Sequence, residues 1–387
     1  MLRGGMPHGI LVTGPARVGK STFADDVAAG LLCRNEDRLL RPCRTCRGCR
    51  ALEHGNHPDV HRLGPTGAGS VIPIGGREER GVRDLVRDLA LLPVEAGARV
   101  AIITAADRMT EDAQAALLKT LEEPPPGTVL ILTASDEERL LPTIRSRCVR
   151  IRLGPVPRQD VEAILVDGGF VEAPAAARLA RLAAGRPGEA VALARAPESL
   201  TIRSEIARTL LDLIVATRAD RLRITRDLLA RAAALGAAIQ AAAGSGGGGE
   251  AAAGGRARTG RGRGRASAGT AVTTNGTGGS DGLDAATGDG EGPGPAARVP
   301  AAERRAAAVS LVAIWRDVAR DLALVALGQH GDVRQVDLLD DLEAAAGLLR
   351  DGFAVEQLRR LELAGERLEG NVSPELVIDG LALGWGG

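Results

Sequence analysis

Short continuous apolar runs alternate with amphipathic stretches through the first 155 residues. Residues 10–13, 100–104, 129–133 and 149–153 are too short for buried helices and rich in β-branched side chains, so they predict buried parallel strands. Residues 22–32 predict a helix directly after the first strand. Another helix is predicted between the second and third runs. Thr110 can cap it, Glu111 and Asp112 in its first turn complement the helix dipole, and Ala113, Ala116, Leu117 and Leu121 recur at helical spacing. Pro124-Pro125-Pro126 ends it. Strands alternating with helices predict an α/β layer built on a parallel sheet, over residues 1–155.

Past this point the pattern is helical. Residues 161–167, 175–184 and 188–195 predict a three-helix group within 156–197, with Pro174 placed where a missing N–H costs least. Residues 199–243 read as one long Ala/Leu/Arg-rich helix, and helix resumes at Ala301 and runs with breaks to Leu383. This second all-α region, 198–387, is interrupted at 244–299 by a glycine- and arginine-rich stretch followed by a glycine-rich acidic one. Neither half carries enough apolar surface to offset the entropy of ordering it, so a disordered insertion is expected there.

Composition narrows the chemistry. Aromatic residues make up 1% of the 387, with no tyrosine, so the core must be built from aliphatic side chains and base-stacking on single strands is disfavoured. Lys plus Arg equals Asp plus Glu, 49 each, and whole-chain charge points to no nucleic-acid partner. The RGRGR stretch of the insertion lacks interleaved aromatics and reads as a solvated linker. No apolar run approaches the roughly 20 residues that span a bilayer. The opening MLRGGMPHGI lacks a signal core. No membrane association and a cytoplasmic protein are expected, with its cysteines reduced or metal-bound.

Gly14-Pro15-Ala16-Arg17-Val18-Gly19-Lys20-Ser21 fits GxxxxGK[ST] between a strand and a helix. Its glycines let backbone N–H groups turn toward phosphate oxygens at a helix N-terminus, Lys20 reaches the β/γ-phosphates, and Ser21, followed by Thr22, supplies the Mg²⁺ hydroxyl. A glycine-rich turn with an incidental lysine is the plain alternative. Hydrolysis also needs an acid that holds Mg²⁺ and a neighbour that positions water. The strand that should carry them ends in Thr104 and Ala105, with Asp107 further along and off the strand. The pattern therefore predicts nucleotide binding without intrinsic ATPase activity.

Cys33, Cys43, Cys46 and Cys49 follow C-x9-C-x2-C-x2-C. Tetrahedral Zn²⁺ takes four such thiolates, and this spacing predicts a closed structural site. Redox thiols are the competing reading, and they would leave two cysteines unexplained. His54, His57 and His61 are read as surface or loop residues, and Cys148 as a small apolar residue at a strand start.

A phosphate loop, a four-cysteine knuckle, DRMTEDAQAALLKTLEEPPPGTVLIL and LPTIRSRC together resemble the clamp-loader branch of the AAA+ ATPases. The likeness is strongest from Met6 to Val156, continues through Gly185-Arg186-Pro187-Gly188, and returns weakly in LEGNVSPELVIDGLAL. It implies a RecA-like AAA+ domain with a zinc knuckle, a small helical lid and a helical collar. It also implies a hetero-pentamer with gamma/tau and delta subunits that places a sliding clamp on primed DNA. Ser146-Arg147-Cys148 matches the family's SRC motif, which implies that Arg147 is an arginine finger acting in trans on a neighbour's ATP. A surface arginine in a salt bridge is the alternative. Arg186 matches the second-sensor position, Thr133 or Ser135 the first, and Lys119 lies on a helix that faces either DNA phosphates or solvent. The absent acids favour a stator over a gamma/tau-like motor. A stand-alone P-loop nucleotide kinase or repair ATPase is a third possibility. Little precedes Met6-Pro7-His8-Gly9-Ile10, where the family has a segment that helps enclose adenine, so ATP with Mg²⁺ is implied by the loop alone. The insertion at 244–299 is not a family feature.

Overall fold

The computed structural model describes residues 7–65, 71–76, 79–95, 97–245, 300–350, 352–370 and 372–386. Five parallel strands form one sheet in the order β2-β3-β4-β1-β5. They are β1 (Gly9–Thr13), β2 (Val60–Leu63), β3 (Arg99–Ile103), β4 (Thr128–Ala134) and β5 (Val149–Arg152). Alternate residues of β1 point to opposite faces, as a pleated strand requires. Leu11 packs with α3 (Val82–Leu89), α4 (Glu111–Glu122) and α5 (Pro142–Arg147). Ile10 and Val12 pack with α1 (Lys20–Leu32) and α2 (Arg47–Glu53). A sheet covered on both faces explains why the predicted strands read as unbroken apolar runs.

Each predicted strand is present within two residues of its expected ends. Thr110 caps α4 through Ala113 N–H, 3.2 Å from its Oγ1. Strand β2 and helices α2, α3 and α5 escaped the periodicity. Strand β2, Val-His-Arg-Leu, is an edge strand whose His61 and Arg62 lean outward to Asp88 and Asp25. Helix α3 is short, although Val82, Leu85 and Leu89 show the helical spacing and are fully buried.

Three short helices, α6 (Arg158–Asp167), α7 (Ala173–Ala183) and α8 (Pro187–Arg195), share a small core of Val161, Leu165, Leu179 and Leu193. The remainder is helical, and its core is the largest in the molecule. The single helix expected over 199–243 is instead two, α9 (Pro197–Asp212) and α10 (Arg218–Ser245). The break follows from Thr217, whose Oγ1 accepts the Asp220 N–H at 3.2 Å and starts a new helix. Helix α11 (Ala301–Ala326) lies against α10, and α12 (Leu339–Ala346), α13 (Phe353–Glu369) and α14 (Pro374–Leu383) complete the bundle. Trp315, Trp385 and Phe353 meet edge-on at its centre, with centroids 5.2 and 5.9 Å apart. Most of the insertion expected at 244–299, from residue 246 onward, lies outside the described residues.

Candidate functional site

The phosphate loop turns sharply because it must pass from β1 into α1 within a few residues. Three of its residues take positive φ: Gly14, Arg17 and Gly19. At Gly14 only glycine fits, since a Cβ would lie 2.2 Å from the Leu153 carbonyl oxygen. Gly19 is the N-cap of α1, so the first-turn N–H groups of Ser21 and Thr22 head an uncapped helix, with both side chains exposed. Lys20 is buried, and its ammonium donates to the carbonyls of Gly14 (2.7 Å) and Pro15 (2.8 Å) and to Ser135 Oγ (3.1 Å). Burial pulls the Lys20 pKa down, and the nearby Asp107 charge works against that.

Asp107 is the residue that sequence reasoning placed off the strand and set aside. It does sit in a short 3₁₀ turn after β3, yet that turn returns it to the mouth of the phosphate loop. Its Oδ2 accepts the N–H groups of Ser135 and Asp136, each at 3.2 Å, while Oδ1 is buried with no hydrogen-bond partner. Of the two candidate first sensors, Ser135 touches Lys20, and Thr133 is buried and accepts the Ala105 N–H at 3.1 Å. Thr104 is bonded to the Leu63 carbonyl, so it serves the β2–β3 pairing.

Helix α8 closes over the loop. The Gly188 N–H donates to the Arg17 carbonyl at 2.9 Å, and Arg17 pairs with Glu189 at 3.1 Å. Arg186, two residues earlier and the N-cap of α8, directs its Nε to the Ala183 carbonyl at the end of α7, 2.9 Å away. The lid is thereby near the loop, but Arg186 itself is engaged locally.

Arg147 lies at the other end of the sheet. Strand β5 runs parallel to β1 with Val149 beside Ile10, so Arg147 is level with the start of β1, whereas the phosphate loop follows its end. Its guanidinium donates to Thr143 O at 3.1 Å and pairs with Glu122 at 2.5 Å. Cys148 behind it is buried, which pushes its thiol up to about 11.

The knuckle hangs from the C-terminus of α1, at that same end. All four sulfurs of Cys33, Cys43, Cys46 and Cys49 lie within 4.8 Å of one another, Cys33 and Cys46 at 4.0 Å. Tetrahedral ligation at about 2.3 Å requires sulfurs about 3.8 Å apart, so the set fits one ion with slight contraction. Backbone N–H groups already point at the sulfurs: Asn35 and Cys43 at Cys33, Cys46 at Cys43, and Cys49 at Cys46, between 3.4 and 3.5 Å. Hydrogen bonds from Thr45, its hydroxyl foremost, lower Cys43 to about 6. Burial pushes Cys49 up to about 12, a cost that a bound dication would offset. The four cysteines can therefore hold a metal ion. His57, expected at the surface, is buried beside Gly48 and accepts the Asp59 N–H at 3.1 Å, and burial lowers its pKa. It supports the knuckle's base and is not one of the four ligands. No helix among the described residues is long and apolar enough to cross a membrane.

Residues 2–157, which hold the phosphate loop, the knuckle and Ser146-Arg147-Cys148, match the family described as DNA polymerase III, delta subunit. The chain is 40% identical over 143 residues to DNA polymerase III subunit delta′ of Pseudomonas aeruginosa, covering 37% of this chain and 42% of that protein. It is 34% identical over 186 residues to the Escherichia coli delta′ subunit, covering 48% and 54%. DNA polymerase III subunit tau of Escherichia coli is 30% identical over 195 residues, covering 49% and 29%. The chain thus spans about half the length of the delta′ relatives it matches. Over residues 2–157, which hold the sheet, the chain is therefore similar to the delta′ subunits of DNA polymerase III.

Proposed function

We propose that this chain is a clamp-loader stator. It assembles in the cytoplasm with gamma/tau and delta subunits as a hetero-pentamer, helps place a sliding clamp on primed DNA, and lends Arg147 to a neighbour's ATP site. The observation that carries this reading is the position of Arg147 at the sheet edge opposite its own phosphate loop. A guanidinium there cannot serve Lys20's site, but it is exposed enough to enter another subunit's. In that site its role is to neutralise charge on the transferring phosphoryl oxygens, as arginine fingers do.

Within its own site the chain supplies a cradle. Gly14, Gly19, Lys20, Ser21 and Thr22 would hold the phosphates of ATP with Mg²⁺, with Lys20 exchanging the Gly14 and Pro15 carbonyls for phosphate oxygens. Arg186 would approach from the lid. Thr104 and Ala105 offer no pair of carboxylates, so turnover is not expected here. The knuckle's ion is Zn²⁺ on donor chemistry: four thiolates in a closed site. A gamma/tau-like motor is the second reading, favoured by the intact loop and by the likeness to tau. Both readings meet in one experiment on the complex reconstituted with gamma/tau, delta and clamp. Arg147→Ala lowers clamp-stimulated ATPase there, while the purified chain alone turns over no ATP. Unchanged ATPase in the mutant complex would remove the finger, and brisk turnover by the lone chain would make it a motor.

A further inference from the structure

The last residues of α4 and α5 meet over the first residue of β1. A Cβ placed on Gly9 would lie 3.1 Å from Leu121 Cδ2, from Cys148 Sγ and from the Arg147 carbonyl oxygen. Leu121 and Cys148 are both buried there, so their chain neighbours Glu122 and Arg147 emerge side by side. The result is the 2.5 Å pair between Arg147 Nη2 and Glu122 Oε1. Arg147 Nη1 folds back to Thr143 O, one turn earlier in α5. Arg145, on the same helix, has its own partner in Glu138 at 2.6 Å. Glu122 is therefore the carboxylate assigned to Arg147.

We infer that Glu122 is a positioning residue that parks Arg147 against its own subunit and competes with the neighbouring phosphate for it. The inference rests on the trans-finger reading above. A guanidinium has one fork suited to a carboxylate or phosphate, and a finger bonded to Glu122 and to Thr143 is turned inward rather than across an interface. Both side chains are partly exposed, 35% and 50%, so the pair biases the finger without locking it. Exposed pairs of this kind are worth at most about 1 kcal/mol, which is roughly a fivefold population bias.

The test uses the reconstituted complex with wild type, Glu122→Gln, Glu122→Asp, Arg147→Ala and the Glu122→Gln/Arg147→Ala double variant. Glu122→Gln keeps size and removes the competing charge. It should raise kcat/KM for ATP by up to about fivefold, and the gain should shrink toward unity as added salt screens the wild-type pair. Glu122→Asp should stay near wild type, and Glu122→Gln should do nothing in the Arg147→Ala background. If Arg147→Ala lowers turnover while Glu122→Gln matches wild type, the parking role is wrong and the finger stands. A gain that persists without Arg147 also overturns it, because the effect would then lie elsewhere. If Arg147→Ala itself changes nothing, the finger reading fails and takes this inference with it.

Discussion

Asp317 joins three parts of the helical region through two hydrogen bonds. Its Oδ2 accepts from Arg203 on α9 at 2.5 Å, and its Oδ1 accepts from Arg334, beyond α11, at 2.6 Å. One turn along, fully buried Asp321 accepts the N–H groups of Arg334 and Gln335 at 3.1 and 3.0 Å. Removing one member of such a set leaves other charges buried without their counter-ion, which typically costs about 3–5 kcal/mol. Asp317→Ala should accordingly lower the urea midpoint by a large fraction of total stability with an unchanged slope. A shift equivalent to less than about 1 kcal/mol would mean that water replaces the carboxylate. None of this was legible in the sequence, because Arg203 and Asp317 are 114 positions apart and each looks like an ordinary solvated charge on a helix. The phosphate loop was legible for the opposite reason. Its chemistry is written in eight consecutive residues, whereas Asp107 and Ser135 reach Lys20 only through the pairing of β3 with β4.

Among elements, the knuckle depends most on something other than packing. Its residues 34–53 hold one short helix, α2, whose N-cap is Cys46 itself, and one 3₁₀ turn that buries nothing. Two arginines, Arg34 and Arg47, clasp Glu95 on the loop before β3, and Arg44 pairs with Asp26 on α1. Surface pairs of this kind contribute at most about 1 kcal/mol each, so the four-sulfur site must supply most of the order. Stripping the metal with a chelator should open the Arg38–Arg47 bonds to trypsin while the sheet and the helical bundle stay intact. Zinc, added back, should restore protection, and Cys46→Ser should be cut with or without it. Equal resistance before and after chelation would show that the knuckle is held by its protein contacts alone. The cysteine spacing made this element visible beforehand. What the spacing could not reveal was α2, whose seven residues are too few to show a period, or the burial of His57.

At the scale of the whole molecule, the parallel sheet sorts chemistry to opposite ends. The phosphate loop, Asp107 and Ser135 collect at the carboxyl ends of the strands, and Arg147, Glu122 and the knuckle at the amino ends. A body with its phosphate loop at one end of the sheet and a half-exposed, Glu122-paired guanidinium at the other suits head-to-tail contacts with neighbours. The helical bundle has a different logic, since α10 and α11 pack together although residues 246–299 separate them in sequence. Leu228, Ala232 and Leu235 of α10 share one core with Ala308, Leu311 and Trp315 of α11, all well inside the described helices. Residues 246–299 join the two helices in sequence, so bringing α10 against α11 closes a stretch of that length. Closing a loop costs about 0.6 kcal/mol for each doubling of its length. Replacing 246–299 by an eight-residue Gly/Ser linker shortens it roughly sevenfold, close to three halvings, for an expected gain of about 1.5–2 kcal/mol. The trimmed protein should unfold at a higher urea concentration and still join gamma/tau and delta subunits. A lower midpoint would mean that 246–299 packs on the bundle after all, and failure to assemble with the midpoint raised would assign those residues to a partner.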